Sequence, residues 1–113
     1  MMDIVFRNDQ LKKECNNQRL LIKNHGAERA KRIRKRLDSL RSVEFLEDMR
    51  NIPGSCHELL HNRAGQLSVY LDHPYRLIFE PANEPIPTKP DGGLDWSKVT
   101  AVRILSVEDT HGN

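Results

Sequence analysis

Histidine, arginine and carboxylate side chains gather in the second half of the sequence, where short apolar segments end. They are His57, His61, Arg63, Arg76, Asp109 and His111. Histidine titrates near neutrality and can accept or donate a proton, while arginine can hold a phosphate through two parallel hydrogen bonds. Such groups can cleave RNA without a metal. A base activates the 2′-hydroxyl, cations stabilise the charged phosphate and an acid protonates the departing 5′-oxygen, which leaves a cyclic phosphate and a free hydroxyl.

Each of these side chains also has a structural interpretation. His57 can hydrogen-bond inside the fold, Arg76 can pair with Asp72 or Glu80 across a sheet, and residues near a terminus, such as Asp109, are often inert. Residue chemistry alone leaves both interpretations open, because the residues form no contiguous motif.

Metal binding and thiol chemistry are not predicted. The five histidines show no ligand spacing beside a cysteine or an acid. Cys15 and Cys56 lie far apart in the sequence, outside any zinc-binding pattern, so we expect two reduced, partly buried thiols.

Positive charge is concentrated in one segment. Residues 11–41 contain eleven Lys or Arg against three acids, a net charge of +8, whereas residues 42–113 carry −5. A basic pole of this kind suits a polyanion, although a solvated helix face has the same composition. The candidate RNA-binding residues in this segment are Lys31, Arg32, Arg34, Lys35 and Arg36.

Hydrophobic periodicity predicts strands and helices that hold these groups. "DIVF" predicts a strand, and Asn8 or Asp9 then caps a helix that Gly26 ends. Residues 27–43 repeat apolar positions every three or four residues and predict a second helix, with cations around its other sides. "EFLEDMRNIPG" predicts one or two further helical turns.

The pattern then changes to alternation. Residues 67–71 and 75–79 predict two antiparallel strands joined by a turn at Asp72, His73 and Pro74. "SCHELL" predicts a short strand before them, and "KVTAVRILSVE" a central last strand. A Pro/Gly-rich loop at about 81–98 separates these strands, and Trp96 is expected to pin it to the body. The order predicts an α+β fold, with N-terminal helices packed on one face of a mostly antiparallel, four- to five-stranded sheet.

Length and hydropathy limit the possibilities further. The 113 residues suffice for one domain and one hydrophobic core. No apolar run approaches a membrane span, and the N-terminal residues lack a secretory pattern, so we expect a cytoplasmic protein.

Two segments carry a resemblance to a known family. "CHELLHNRAGQLSVYLDHPYRLIFEPA" and the final "AVRILSVEDTHGN" resemble the RelE/ParE superfamily of type II toxins, closest to its HigB-like, host-inhibition-of-growth branch. That branch has a strand with a His, a Gly-Asp-Arg-x-Gly loop, an Arg-Ile/Leu-x-Phe strand and a terminal Asp-Tyr-His. The resemblance spans nearly the whole chain and implies a RelE/microbial-ribonuclease-like fold.

The resemblance also assigns catalytic roles. His57 and His111 would share acid and base duties, Asp109 would orient or assist, and Arg63 and Arg76 would hold the scissile phosphate. The sequence departs from the family at Thr110, where an aromatic is usual. It also has Leu60, His61 and Asn62 where Lys, Gly and Asp are common, and His61 would partly replace the missing lysine as a phosphate ligand.

The family implies a biological setting. Its members are ribosome-dependent endoribonucleases that cut messenger RNA in the A site, and the basic helix would rest on ribosomal RNA without reading sequence. A HigA-like helix-turn-helix antitoxin would silence the toxin and bring it to operator DNA, and neither a metal nor an organic cofactor is expected.

Two alternatives remain. One is a ParE-like toxin that inhibits DNA gyrase by binding, an arm that generally lacks the paired histidines. The other is a decayed toxin that retains antitoxin binding and operon control, for which Thr110 is the hint.

Overall fold

The N-terminal third forms one strand and three helices. The computed structural model describes residues 1–110 and gives β1 (Asp3–Phe6), α1 (Asp9–Cys15), α2 (Gln18–His25) and α3 (Ala27–Ser42). Asn8 caps α1 by accepting from the Leu11 N–H at 2.8 Å. The strand, the Asn8 cap and the end at Gly26 are as predicted.

The single helix predicted between Asn8 and Gly26 is wrong, because it divides at Asn16 and Asn17. The Asn17 side chain accepts from the N–H groups of Arg19 and Leu20, at 3.0 and 3.2 Å, and so begins a new helix. Asparagine side chains compete with the helical backbone for hydrogen bonds, which makes the pair a natural break.

Helix α3 buries the predicted stripe. Ala30, Ile33, Leu37 and Leu40 are fully buried and pack against the sheet residues of the core. The extra helical turns predicted after α3 form a 3₁₀ helix, Leu46–Asn51. No helix among residues 1–110 is long and apolar enough to cross a membrane.

The remaining strands are β2 (His57–Glu58), β3 (Leu67–Tyr70), β4 (Tyr75–Pro81) and β5 (Ala101–Asp109). They form one five-stranded sheet with the order β1-β5-β4-β3-β2. The β1–β5 pair is parallel and the other pairs are antiparallel. The predicted α+β class, the mostly antiparallel sheet and the central last strand are confirmed.

Alternation along the strands separates two faces of the sheet. Leu67, Val69, Leu77, Phe79 and Ile104 belong to the core shared with the helices. The opposite side, hereafter the open face, carries Ser68, Tyr70, Arg76, Ile78, Ser106 and Glu108. Ser68 and Ile78 are nonetheless fully buried, so side chains pack over this face as well.

A β-bulge in β5 reverses the alternation halfway along that strand. Ile78 pairs with Ser106, but the next residue, Phe79, pairs with Ile104, which leaves Leu105 as the extra residue. Strict alternation from Val102 and Ile104 would have put Ser106 and Glu108 on the helix side. The bulge places both of them on the open face instead.

The Pro/Gly-rich segment is a long connection between β4 and β5, as predicted. Trp96 is buried in it at 4% exposure and belongs to the core. Its indole Nε1 donates to Glu58 Oε2 at 2.9 Å, and the Arg50 guanidinium lies 3.8 Å from the ring centroid. Trp96 therefore pins the loop, as expected, and also holds β2.

Candidate active site

Arg76 projects from β4 on the open face. Its Nη1 donates to Ser68 Oγ at 3.1 Å, and its guanidinium carbon lies 5.8 Å from the centroid of the Tyr70 ring. Within residues 1–110 no carboxylate forms an ion pair with Arg76, so the expected structural pairing with Asp72 or Glu80 does not occur. Asp72 instead pairs with Arg29, and Glu80 with Arg103.

His57 lies exposed on the edge strand β2, directly across from Ser68. Its Nδ1 is 2.9 Å from the carbonyl oxygen of Ser55. A carbonyl oxygen can only accept, so Nδ1 must carry the proton and the neutral ring offers the Nε2 lone pair. Ser68 is therefore a shared neighbour of the two residues: it is the cross-strand partner of His57 in the β2–β3 register, and its hydroxyl accepts from Arg76.

Arg63 takes part in a different set of contacts. Its Nη1 and Nη2 donate to the two carboxylate oxygens of Glu108 at 2.7 and 2.9 Å, and its Nε and Nη2 donate to Gln66 Oε1 at 3.0 and 2.9 Å. The Ser106 hydroxyl also donates to Glu108. Arg63 lowers the pKa of Glu108 through its hydrogen bonds, and Glu108 raises the pKa of Arg63.

Sequence reasoning did not identify Glu108 as a site residue. The sequence did offer a carboxylate at this position, because Glu108 directly precedes the candidate Asp109. Deciding which of two neighbouring residues faces Arg76 requires the β4–β5 register. The β5 bulge decides it by pairing Glu108 with Arg76.

Asp109 pairs with Tyr75, so alternation puts it on the helix side of the sheet. The strand register therefore does not place Asp109 on the open face with Arg76. Thr110 donates through its backbone N–H and its hydroxyl to the Pro74 carbonyl, at 2.9 and 3.0 Å, and so closes the end of β5 on the β3–β4 turn. His111, the other terminal candidate, lies outside the described residues.

A cleft of about 430 Å³ lies beside His57 and is lined by residues 57–63. His61 lies in it, is exposed and has a φ of +57°, an unusual conformation for a residue with a side chain. Leu60 is 71% exposed at the same place. The structure therefore brings His57, His61 and Arg63 to one cleft, with Arg76 on the adjoining open face.

Three arginines of helix α3 form hydrogen bonds with the body of the protein. Arg29, Arg32 and Arg36 reach the end of β3: Arg29 pairs with Asp72 at 2.9 Å, and Arg32 donates to the Leu71 carbonyl at 3.2 Å. Arg36 is 7% exposed and donates to the carbonyl oxygens of Tyr70 and Pro53, at 2.7 and 3.0 Å. Burial lowers its pKa, and Arg32 lowers it further.

The expectation that Arg36 lies on an RNA-binding surface is therefore contradicted by its burial. Arg32 is half-buried and also pairs with Glu28 at 3.2 Å. Lys31, Arg34 and Lys35 remain on another side of the helix, where they line an open groove of about 480 Å³ with Asp38, Ser39 and Ser42. Of the five α3 cations expected to bind RNA, these three line the groove.

Metal ligands and reactive thiols are not found in residues 1–110. No group of three or more His, Cys, Asp or Glu residues there is arranged to hold a metal. Burial raises the pKa of Cys15 to about 11 and that of Cys56 to about 12, so both thiols are protonated at neutral pH and poorly nucleophilic.

Comparisons with known proteins place the fold. No protein-family model matches the sequence, and no curated protein matches it. Among solved structures, a YoeB–YefM complex from Staphylococcus aureus matches at a TM-score of 0.56 and 18% identity, over 96% of this chain and 95% of that one. A YoeB dimer from the same organism matches at 0.55 and 18%, over 95% and 94%. The chain thus has the fold of the YoeB/RelE-like toxins.

Proposed function

We propose that the protein is the toxin of a type II toxin–antitoxin system and acts in the cytoplasm as a ribosome-dependent endoribonuclease on messenger RNA. The observation that carries this proposal is the link between His57 and Arg76 through Ser68. An exposed proton acceptor and a partly exposed cation, for which residues 1–110 supply no carboxylate ion pair, thus share one neighbouring residue on the same face of the sheet. The shared YoeB/RelE-like fold and the sequence resemblance support the same assignment.

In this proposal His57 is the general base. The Ser55 carbonyl holds its Nδ1 proton, so Nε2 is left to take the proton of the 2′-hydroxyl. The 2′-oxygen then bonds to phosphorus and the bond from phosphorus to the 5′-oxygen breaks. Arg76 stabilises the additional negative charge on the phosphate, and His111 returns a proton to the 5′-oxygen.

The proposed ribosome contact is the groove of Lys31, Arg34 and Lys35, with His61 at the cleft as a further RNA contact. Phosphate contacts of this kind orient a protein on RNA without reading its sequence. An antitoxin partner is part of the proposal. YoeB is known in complex with YefM, and the HigB branch and a HigA-like, helix-turn-helix antitoxin that binds operator DNA remain predictions from the resemblance.

The test is cleavage mapping in a bacterial translation reaction. Purified wild-type protein should produce new message ends inside translated codons, and these ends should require ribosomes. His57→Ala, Arg76→Ala and His111→Ala should each reduce cleavage by about 100-fold or more, the range for loss of an acid–base group or a charge-stabilising group. Arg19→Ala, on the exposed side of α2, is the matched control and should cleave normally.

Intact messages would contradict the nuclease proposal. If the protein still stopped growth when it was expressed, and inhibited DNA supercoiling by gyrase, the ParE-like alternative would hold. If it did neither but bound its antitoxin, the decayed-toxin alternative would hold.

A further inference from the structure

The segment between β2 and β3 is a closed loop, hereafter the 59–66 loop. The Leu59 N–H donates to the Gln66 carbonyl at 2.8 Å and closes it, while the Arg63 N–H donates to Leu60 and the Gln66 N–H to Arg63, both at 3.1 Å. Most of the residues that line the cleft belong to this loop. Its position over the sheet therefore decides the shape of the cleft beside His57.

One side chain ties the loop to the far side of the open face. Arg63 reaches past β3 and β4 to Glu108 on β5, and the contact is bidentate. Gln66 holds the other edge of the guanidinium, and Ser106 holds the carboxylate. The arrangement is a network in which each charged group is fixed by two partners, a geometry that orients side chains rigidly.

The same contacts leave Arg63 little capacity for a substrate. Hydrogen bonds to Gln66 and Glu108 use four of its five N–H groups. A phosphate approaching Arg63 would also meet the negative charge of Glu108. Arg76 is less occupied, although Glu108 lies across from it on β5: its hydrogen-bond partner Ser68 carries no charge, and the other N–H groups of its guanidinium make no hydrogen bond to residues 1–110.

We propose that Glu108 is a positioning residue, which holds Arg63 and through it the 59–66 loop in register with His57 and Arg76. Arg63 is then also a positioning residue, and Arg76 is the arginine that contacts the scissile phosphate. This inference rests on the proposed nuclease function, and it differs from the family-based expectation that both arginines hold phosphate.

The experiment compares Arg63→Ala, Glu108→Ala, Glu108→Gln and the Arg63→Ala/Glu108→Ala double variant with Arg76→Ala. Cleavage is measured as single-turnover rates on message-programmed bacterial ribosomes. Binding is measured on the same ribosomes with a 2′-deoxy substitution at the cut site, which removes the nucleophile, over a series of salt concentrations.

Loss of positioning should lower the cleavage rate by about 10- to 100-fold, because small displacements of catalytic groups have effects of this size. The double variant should cleave no more slowly than Arg63→Ala, since the two residues act as one unit. Glu108→Gln, which keeps one acceptor, should cleave faster than Glu108→Ala. Affinity and its salt dependence should stay at wild-type values in all four, whereas Arg76→Ala should reduce the slope of log K against log salt by about one.

A matched control pair exists on the same two strands. Glu80 and Arg103 form a cross-strand ion pair at 2.8 Å with similar partial exposure, at the other end of β4 and β5. Arg103→Ala/Glu80→Ala should leave cleavage unchanged, which separates positioning of the loop from a general loss of sheet stability.

Two results would overturn the inference. One is a reduced salt slope in Arg63→Ala, which would make Arg63 a phosphate ligand. The other is faster cleavage or tighter binding in Glu108→Ala, which would make Glu108 a competitor of the phosphate.

Amide hydrogen exchange supplies a test that needs no activity: the Leu59 and Gln66 amides should exchange faster in Glu108→Ala. That result would hold even if the wild-type protein cut no RNA, so the two proposals can fail separately.

Discussion

Among single residues, Glu108 makes the stability of the candidate site dependent on pH. The hydrogen bond from Arg63, aided by Ser106, keeps its pKa below the ordinary value of 4.5. In the unfolded chain the carboxylate is protonated at a higher pH than in the folded protein. The pair therefore stabilises the fold above the unfolded pKa, and this contribution is lost as the pH falls through the folded pKa.

We predict that Glu108→Gln lowers the free energy of unfolding at pH 7 by about 1 kcal/mol or less, because both partners are about one third exposed and solvent screens the pair. Near pH 3 the difference from the wild type should shrink. Urea denaturation at both pH values measures it. An equal difference at both would show that the charge of Glu108 does not contribute to stability.

For secondary-structure elements, helix α3 shows how neighbouring cations can have unrelated roles. Arg36 is buried and satisfies two carbonyl oxygens, at the end of β3 and before β2. Lys35, the preceding residue, is exposed in the groove with Lys31 and Arg34. A helix turns about 100° per residue, so adjacent residues face different surroundings.

We predict opposite effects for the two substitutions. Arg36→Ala should destabilise the protein by about 2–4 kcal/mol, because it removes hydrogen bonds from a charged donor and leaves two carbonyl groups without it. Lys35→Ala should change stability by no more than about 0.5 kcal/mol and weaken ribosome binding. Chemical denaturation and ribosome binding at a permissive temperature measure the two quantities. If Arg36→Ala folded normally but bound ribosomes poorly, Arg36 would be an RNA contact after all.

For the whole molecule, positive charge is concentrated in residues 11–41, which carry +8, whereas residues 42–113 carry −5. Such a division gives the protein a preferred orientation toward a polyanion and speeds association at low salt. It predicts that binding depends on where positive charge is removed, and not on net charge alone.

We expect the triple variant Lys31→Ala/Arg34→Ala/Lys35→Ala to reduce the slope of log K for ribosome binding against log salt by about 2–3, since each lost phosphate contact removes nearly one released counterion. The control variant Lys89→Ala/Lys98→Ala/Arg103→Ala changes the net charge equally, but outside the basic segment. Equal slopes in the two triple variants would show that the groove does not contact RNA phosphates.

Local patterns in the sequence were sufficient to predict most of the elements. The alternation in residues 67–79, the apolar stripe of α3 and the Trp96 in the long loop each depend on residues that are close in the chain, and the structure confirms them. The helix break at Asn16 and Asn17 is also local, and could have been read from two consecutive residues that favour helix caps.

Residue types likewise gave the hypothesis of phosphate cleavage, because His57, Arg63 and Arg76 are the kinds of group that this chemistry needs. The roles proposed for them depend on contacts between residues far apart in the chain. Arg63 donates to Glu108, which lies 45 residues away in the sequence. Arg36 is buried where it donates to the Tyr70 carbonyl, 34 residues away. The bulge at Leu105 decided that Glu108, and not Asp109, shares a face with Arg76. A one-residue shift in register exchanges the two faces of a strand, and only strand pairing in the folded sheet specifies that shift.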